Sequence, residues 1–170
     1  MSILKGPINQ MPTATKSSFL DISKIKNLER ITSILSSKIS NGDTILLYGD
    51  LGVGKTTLSR ILINRLQKKN KKKITNVTSP TFSLMNEYLV GDILINHCDL
   101  FRIKNNKDLT NLGLFENIED KILIIEWPKL IKKKPKNRIE IYLYYKKNFF
   151  SRQLKIKKYG RCKSYAFLKK

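Results

Sequence analysis

Eight residues in the first third of the chain, Gly49-Asp50-Leu51-Gly52-Val53-Gly54-Lys55-Thr56, satisfy the pattern G-x-x-x-x-G-K-[ST] in full. Each fixed position has a physical task. The glycines let successive backbone N–H groups converge on phosphate oxygens, with the positive end of the following helix behind them. Lys55 places an ammonium between the β- and γ-phosphates of a nucleotide, and the Thr56 hydroxyl is a hard oxygen suited to Mg²⁺, which keeps most of its waters. With this chain's own residue frequencies the pattern arises by chance in roughly one such chain in a hundred.

A nucleoside triphosphate also needs its Mg²⁺ held from a second strand, by a carboxylate at the end of an apolar run. Two segments offer one. Ile122-Leu123-Ile124-Ile125-Glu126 has four aliphatic residues before its acid and is the better match; Ile93–Asp99 alternates, which predicts a less buried strand. His97 reads as a hydrogen-bonded structural histidine. Arg is absent between Arg102 and Arg138, so no arginine-bearing lid of the kinase type is encoded there, and Arg102 is a candidate arginine finger that no spacing demands. Slow turnover alone, accelerated by a partner that completes the site, is the expectation.

The elements that must position these residues follow from periodicity. Asp21 reads as the N-cap of a helix whose apolar residues Ile25, Leu28, Ile31, Leu35 and Ile39 recur at three and four, ending near Asn41-Gly42. Thr44–Tyr48 is a β-rich run of the kind buried in a parallel sheet. After the glycine loop, Leu58, Ile61, Leu62, Arg65 and Leu66 continue at helical spacing to the lysine-rich run ending at Lys73. Ile74–Thr78 and Phe82–Leu89 suggest strands, and Gly91-Asp92 the hairpin turn into Ile93–Asp99. Asn105–Asn111 reads as loop or short helix, Gly113–Asp120 as a helical turn, and Lys121–Trp127 as the clearest strand after the first. Ile139, Ile141, Leu143 and Tyr145 alternate with Arg138, Glu140, Tyr142 and Tyr144, which predicts a half-exposed antiparallel strand paired with Ser151–Lys158. Tyr165–Leu168 would add a last strand or fray, and residues 1–18 form a loose lead-in.

With 170 residues, 41% of them hydrophobic, the chain is predicted to fold as a single domain over 1–170 with a core that needs no disulfide or metal staple. No apolar run approaches the ~20 residues of a membrane span and no signal-peptide core is present, so a soluble, cytoplasmic protein is expected. Cys98 and Cys162 form no framework, and one histidine supplies a zinc site poorly. The net charge of +21 is polarised: residues 1–128 carry 18 basic and 12 acidic groups, residues 129–170 carry 16 basic groups and only Glu140. Of the 34 basic residues 27 are Lys, as an AT-rich coding bias would produce. A polyanion-facing C-terminal part and a merely solvated lysine-rich one are therefore weighed evenly.

Taken in order, GDLGVGKTT at 49–57, VTSPTFSLMNEY at 77–88, HCDLFR at 97–102, GLFENIED at 113–120 and IIEWPKL at 125–131 resemble the small bacterial ATPase family TsaE (YjeE) of tRNA threonylcarbamoyladenosine biosynthesis, over roughly residues 20–131. The resemblance implies a P-loop NTPase three-layer α/β fold with a mixed, partly parallel central sheet and antiparallel C-terminal strands. It implies binding of ATP and Mg²⁺, with Gly52, Val53, Gly54, Lys55, Thr56 and Thr57 as the phosphate cradle and Thr56 with Glu126 as the metal pair. It makes Asp99, with Lys55, catalytic, and Thr78, Ser79, Pro80, Thr81 and Phe82 a mobile switch segment near the nucleotide. The implied partners are the two kinase-like subunits of the tRNA threonylcarbamoyl-transferase complex, with tRNA contacted indirectly or through the basic C-terminal part. Phe101 stands where tyrosine is commoner in the family, and Lys129 where an acid or amide is more usual. A small-molecule or nucleotide kinase, and a basic RNA-associating module with a regulatory nucleotide site, are the competing readings.

Overall fold

In the computed structural model, which describes residues 19–147 and 149–166, the chain runs through β1 (Leu20–Asp21), α1 (Ile25–Lys38), β2 (Thr44–Tyr48), α2 (Lys55–Lys69), β3 (Met85–Val90), β4 (Ile93–Asp99), α3 (Asn106–Asn111), β5 (Lys121–Glu126), β6 (Arg138–Tyr145) and β7 (Arg152–Tyr159). The lead-in expected over 1–18 and the end of the strand expected over 165–168 lie outside the described residues. Short 3-10 turns at Ile118–Asp120, Pro128–Leu130 and Gly160–Ser164 punctuate the second half.

All seven strands form one sheet in the order β1-β7-β6-β2-β5-β4-β3. The middle four, β6, β2, β5 and β4, run parallel, while β3 and β7 add antiparallel hairpins at either side. The aliphatic runs predicted as buried strands occupy the centre because a strand covered on both faces has no use for alternation. Ile45, Leu47, Ile122, Ile124, Ile139 and Ile141 meet Leu28, Leu35, Leu58, Leu62 and Leu66 of α1 and α2 in one core. On the other face Leu46, Leu123 and Ile125 meet Leu100, Leu114 and Ile131, supplied by the β4–β5 connection and the turn after β5. Each such fully buried aliphatic side chain contributes roughly 1.5–3 kcal/mol of transfer free energy. The three layers are unequal: two long helices on one side, and on the other a short helix and turns over only part of the sheet.

Four expectations are corrected. Asp21 is not the helix N-cap; it pairs with Gln153 in the β1–β7 ladder, its Oδ1 accepts from Ser23 N at 2.9 Å, and α1 starts at Ile25 behind Lys24 with no side-chain cap. Ile74–Thr78 forms no strand, since Gln67 of α2 takes Thr75 N (3.1 Å) and gives its amide to Thr75 Oγ1 (2.8 Å), leaving Ile74 exposed. β4 is not the less buried strand: lying between β3 and β5, its last five residues are all buried. β6 is antiparallel only to β7 and is parallel to β2 on its other side, inside the sheet. The alternation was real, but it reported the face that α1 and α2 leave uncovered rather than a sheet margin.

Candidate functional site

At the carboxyl end of β2 the chain turns through three glycines with positive φ, Gly49 (+144°), Gly52 (+73°) and Gly54 (+113°). At Gly49 a Cβ would lie 2.6 Å from the Leu143 carbonyl oxygen and 2.8 Å from Val53 Cγ1, so the loop closes against β6 only because that atom is missing. Around Gly54, nothing lies within 4 Å of the position a Cβ would take. Gly54 is also the N-cap of α2, which has neither a side-chain cap nor an acidic residue in its first turn. The first N–H groups of the helix thus have no protein anion to serve, which suits a bound phosphate.

Lys55 begins that helix and is only 4% exposed. Its ammonium donates to the Gly49 and Asp50 carbonyls, both at 2.8 Å, and lies 3.8 Å from the centroid of the Trp127 ring. Burial pushes its pKa below the ordinary lysine value, and the Glu126, Asp99 and Asp50 carboxylates oppose that fall. Among the described residues it makes no ion pair. A desolvated cation held only by carbonyls and a π-face has the chemistry to receive an incoming anion.

Two carboxylates close the other side. Ile95, His97 and Asp99 of β4 share one face by their period of two, as do Ile122, Ile124 and Glu126 of β5, and Asp99 is the register partner of Glu126. Glu126 is buried, and its Oε2 accepts from Thr56 Oγ1 at 2.9 Å while its Oε1 accepts from Ser59 Oγ at 3.2 Å. His97 Nε2 lies 2.8 Å from the same Oε1, and His97 Nδ1 is buried without a hydrogen-bond partner among the described residues. An ionised carboxylate only accepts, so the histidine proton belongs on Nε2. His97 is therefore more than a core residue: it orients the acid the loop hydroxyl touches. Among the described residues there is no group of three or more His, Cys, Asp or Glu able to cage a metal. Such a donor set fits Mg²⁺, which takes one or two protein oxygens and completes its shell with phosphate and water, rather than zinc.

Asp99, also buried, binds the segment predicted as a switch. Its Oδ2 accepts from Ser79 Oγ at 3.0 Å and Thr81 Oγ1 at 2.6 Å, and its Oδ1 from Phe101 N at 2.9 Å. Pro80 between them is buried, Thr78 is exposed, and Phe82 stands 83% exposed with the Arg102 guanidinium 4.4 Å from its ring centroid. Beside Gly54 and Thr57 a cavity of about 130 Å³ is lined by Ile22, Ile25, Leu28, Val53 and Arg152. Arg152 Nε is buried there without a hydrogen-bond partner among the described residues.

The structure thus brings together Lys55, Thr56, Glu126 and, by register, Asp99, and ties Ser79 and Thr81 to the last. Ser59 and Trp127 were not singled out from sequence. Ser59 stands three residues beyond Thr56, hence on the same helical face, a signal that could have found it. Trp127 turns toward Lys55 with φ +56°, which nothing in its residue type announces.

A family model described as Threonylcarbamoyl adenosine biosynthesis protein TsaE matches residues 22–154, further than the motifs reached, taking in β6 and the start of β7. The chain is similar to the tRNA threonylcarbamoyladenosine biosynthesis protein TsaE of Rickettsia felis, 35% identical over 104 residues, which are 61% of this chain and 58% of that relative. The proteins of the same description from a Nostoc species and from Bacillus subtilis are 40% and 32% identical, each over 66% of this chain and 68% of the relative. The chain therefore spans little more than half the length of the Rickettsia felis relative. In fold it is similar to the crystal structure of Bacillus subtilis YdiB, with a TM-score of 0.66 and 22% identity, covering 87% of this chain and 88% of that one. Among the described residues no helix is long and apolar enough to cross a membrane.

Proposed function

The chain belongs to the TsaE family of threonylcarbamoyl adenosine biosynthesis proteins, and from that premise we propose that it is a Mg²⁺-dependent ATP-binding and ATP-hydrolysing subunit required for threonylcarbamoyladenosine modification of tRNA. In this reading residues 1–170 act as one cytoplasmic unit alongside the two kinase-like subunits that transfer the threonylcarbamoyl group. The observation that carries it is the hydrogen bond from Thr56 Oγ1 to Glu126 Oε2, which joins the loop hydroxyl to a strand-end acid 70 residues away beside a desolvated Lys55.

The N–H groups of Gly52–Thr57 would bind the phosphates, and Lys55 would exchange the Gly49 and Asp50 carbonyls for phosphate oxygens. Thr56 and Glu126 would hold Mg²⁺, with Ser59 and His97 fixing the carboxylate. When bound, the ion would supply charge neutralisation to the phosphate oxygens. Asp99 would orient the attacking water and accept its proton, and must first exchange hydrogen bonds with Ser79 and Thr81, which makes 78–82 the segment that reports the state of the site.

Calorimetric titration with ATP and Mg²⁺ tests the binding step: wild-type protein should give a saturable isotherm and Lys55→Ala none. Cells carrying only Lys55→Ala should lose the modified nucleoside from their tRNA, and an unchanged level would remove the proposal.

A further inference from the structure

The side of the sheet that α1 and α2 leave bare holds a second concentration of chemistry. Strand side chains alternate, so with Ile139, Ile141 and Leu143 in the helix-side core, Tyr142 and Tyr144 of β6 face the other way. Their register partners on β7 are Lys155 and Gln153, and Lys157 lies opposite Glu140. Tyr48 of β2 stacks on Tyr142, centroids 4.5 Å apart at 10°, and Phe19 meets Tyr144 edge-on at 5.8 Å. Cations are interleaved with the rings: Lys157 lies 5.2 Å from Tyr142, Lys155 5.8 Å from Phe19, and Arg138 3.6 Å from Tyr159. Phe19 is 54% and Tyr144 40% exposed.

The acids of this face are already engaged. Glu140 accepts from Arg138 Nε, Lys134 Nζ and Tyr142 OH, and Asp21 pairs with Lys146. Lys155 and Lys157 have no carboxylate at ion-pair distance among the described residues. A net positive sheet face with rings accessible between lysines matches a polyanion whose units carry π-faces. The core of a protein interface is depleted in lysine, and an intact duplex hides its bases in the stack, whereas an unpaired strand presents both phosphates and bases.

We propose that this face binds unpaired RNA, with bases stacked on Phe19 and Tyr144 and phosphates paired with Lys155 and Lys157. RNA is the polymer chosen because the similar proteins are described as tRNA threonylcarbamoyladenosine biosynthesis proteins. The proposal does not rest on the phosphate loop, and the binding needs no nucleotide.

Fluorescence anisotropy with a labelled, unstructured RNA of about 12 nucleotides, within the length range of known stacking sites, tests it without ATP. Phe19→Ala/Tyr144→Ala should weaken binding at least tenfold while leaving the salt dependence unchanged. Lys155→Ala/Lys157→Ala should reduce the slope of log K against log salt by about 1.4, at ~0.7 per phosphate contact. Lys72→Ala/Lys73→Ala, on the exposed run after α2, should bind like wild type. No RNA binding by the wild type, wild-type affinity in the aromatic variant, or equal loss in the Lys72/Lys73 control overturns the proposal. Photocrosslinking of wild-type protein to 4-thiouridine RNA removes any dependence on variant folding: adducts at Phe19, Tyr144 or the β7 lysines support it, and adducts confined to 68–73 overturn it.

Discussion

Thr56, Ser59 and His97 converge on one carboxylate, so Glu126 arrives pre-oriented, and its loss should be felt in the chemistry as well as in stability. Glu126→Gln keeps the shape and removes the charge. Under the proposed role it should retain nucleotide binding and lower steady-state hydrolysis roughly a hundredfold, the usual scale for a pre-organised electrostatic group. Asp99→Asn should do likewise without changing the Mg²⁺ concentration dependence, and comparing the two Mg²⁺ titrations separates metal ligand from water-orienting acid. The cysteines make the opposite case. Cys98 and Cys162 are both fully buried, and burial pushes each thiol up to about 12, with the Asp43 carboxylate adding to the rise at Cys162. A thiol reagent at pH 8 should leave both untouched in folded protein and label two groups once denaturant is added.

At the scale of the element, the loop is a strand end converted to a helix start by residues that tolerate positive φ. Gly54→Ala would put a side chain at φ +113° in otherwise open space, so its cost is conformational rather than steric. A loss of about 1–2 kcal/mol in chemical denaturation is expected, together with nucleotide affinity reduced by more than that loss of folded protein explains. The glycines and the strand–loop–helix order were legible in the sequence because each is a local constraint. The Ile74–Thr78 strand was misread because Gln67, eight residues before Thr75 on a neighbouring helix, captures backbone and side chain that a ladder would have used. Local propensity carries no information about that competitor.

At the scale of the whole molecule, the buried Glu140 joins the C-terminal hairpin to the central sheet. Burial by itself would raise its pKa, but hydrogen bonds from Tyr142, Arg138 and Lys134 outweigh that and hold the carboxyl below the usual glutamate value. A depressed folded pKa contributes stability that is present above the unfolded value of about 4.3 and lost as pH falls through the folded one. Glu140→Gln should therefore cost roughly 2 kcal/mol at pH 7, and thermal melts of variant and wild type should draw together as pH falls below the unfolded value of about 4.3. On its own the sequence determined what short-range physics determines: the phosphate loop, the helix behind it, the aliphatic strands, the hairpin at Gly91-Asp92, and Glu126 as an acid ending a buried run. Only the tertiary structure decided that β6 lies against β2, that Asp99 and Glu126 stand side by side, that His97 serves Glu126, and that Arg138, Lys155 and Lys157 share the sheet face opposite α1 and α2. Alternation tells which way a side chain points, but the choice of neighbouring strand is a contest among distant segments for the same edge, and it is settled by the burial of the whole core.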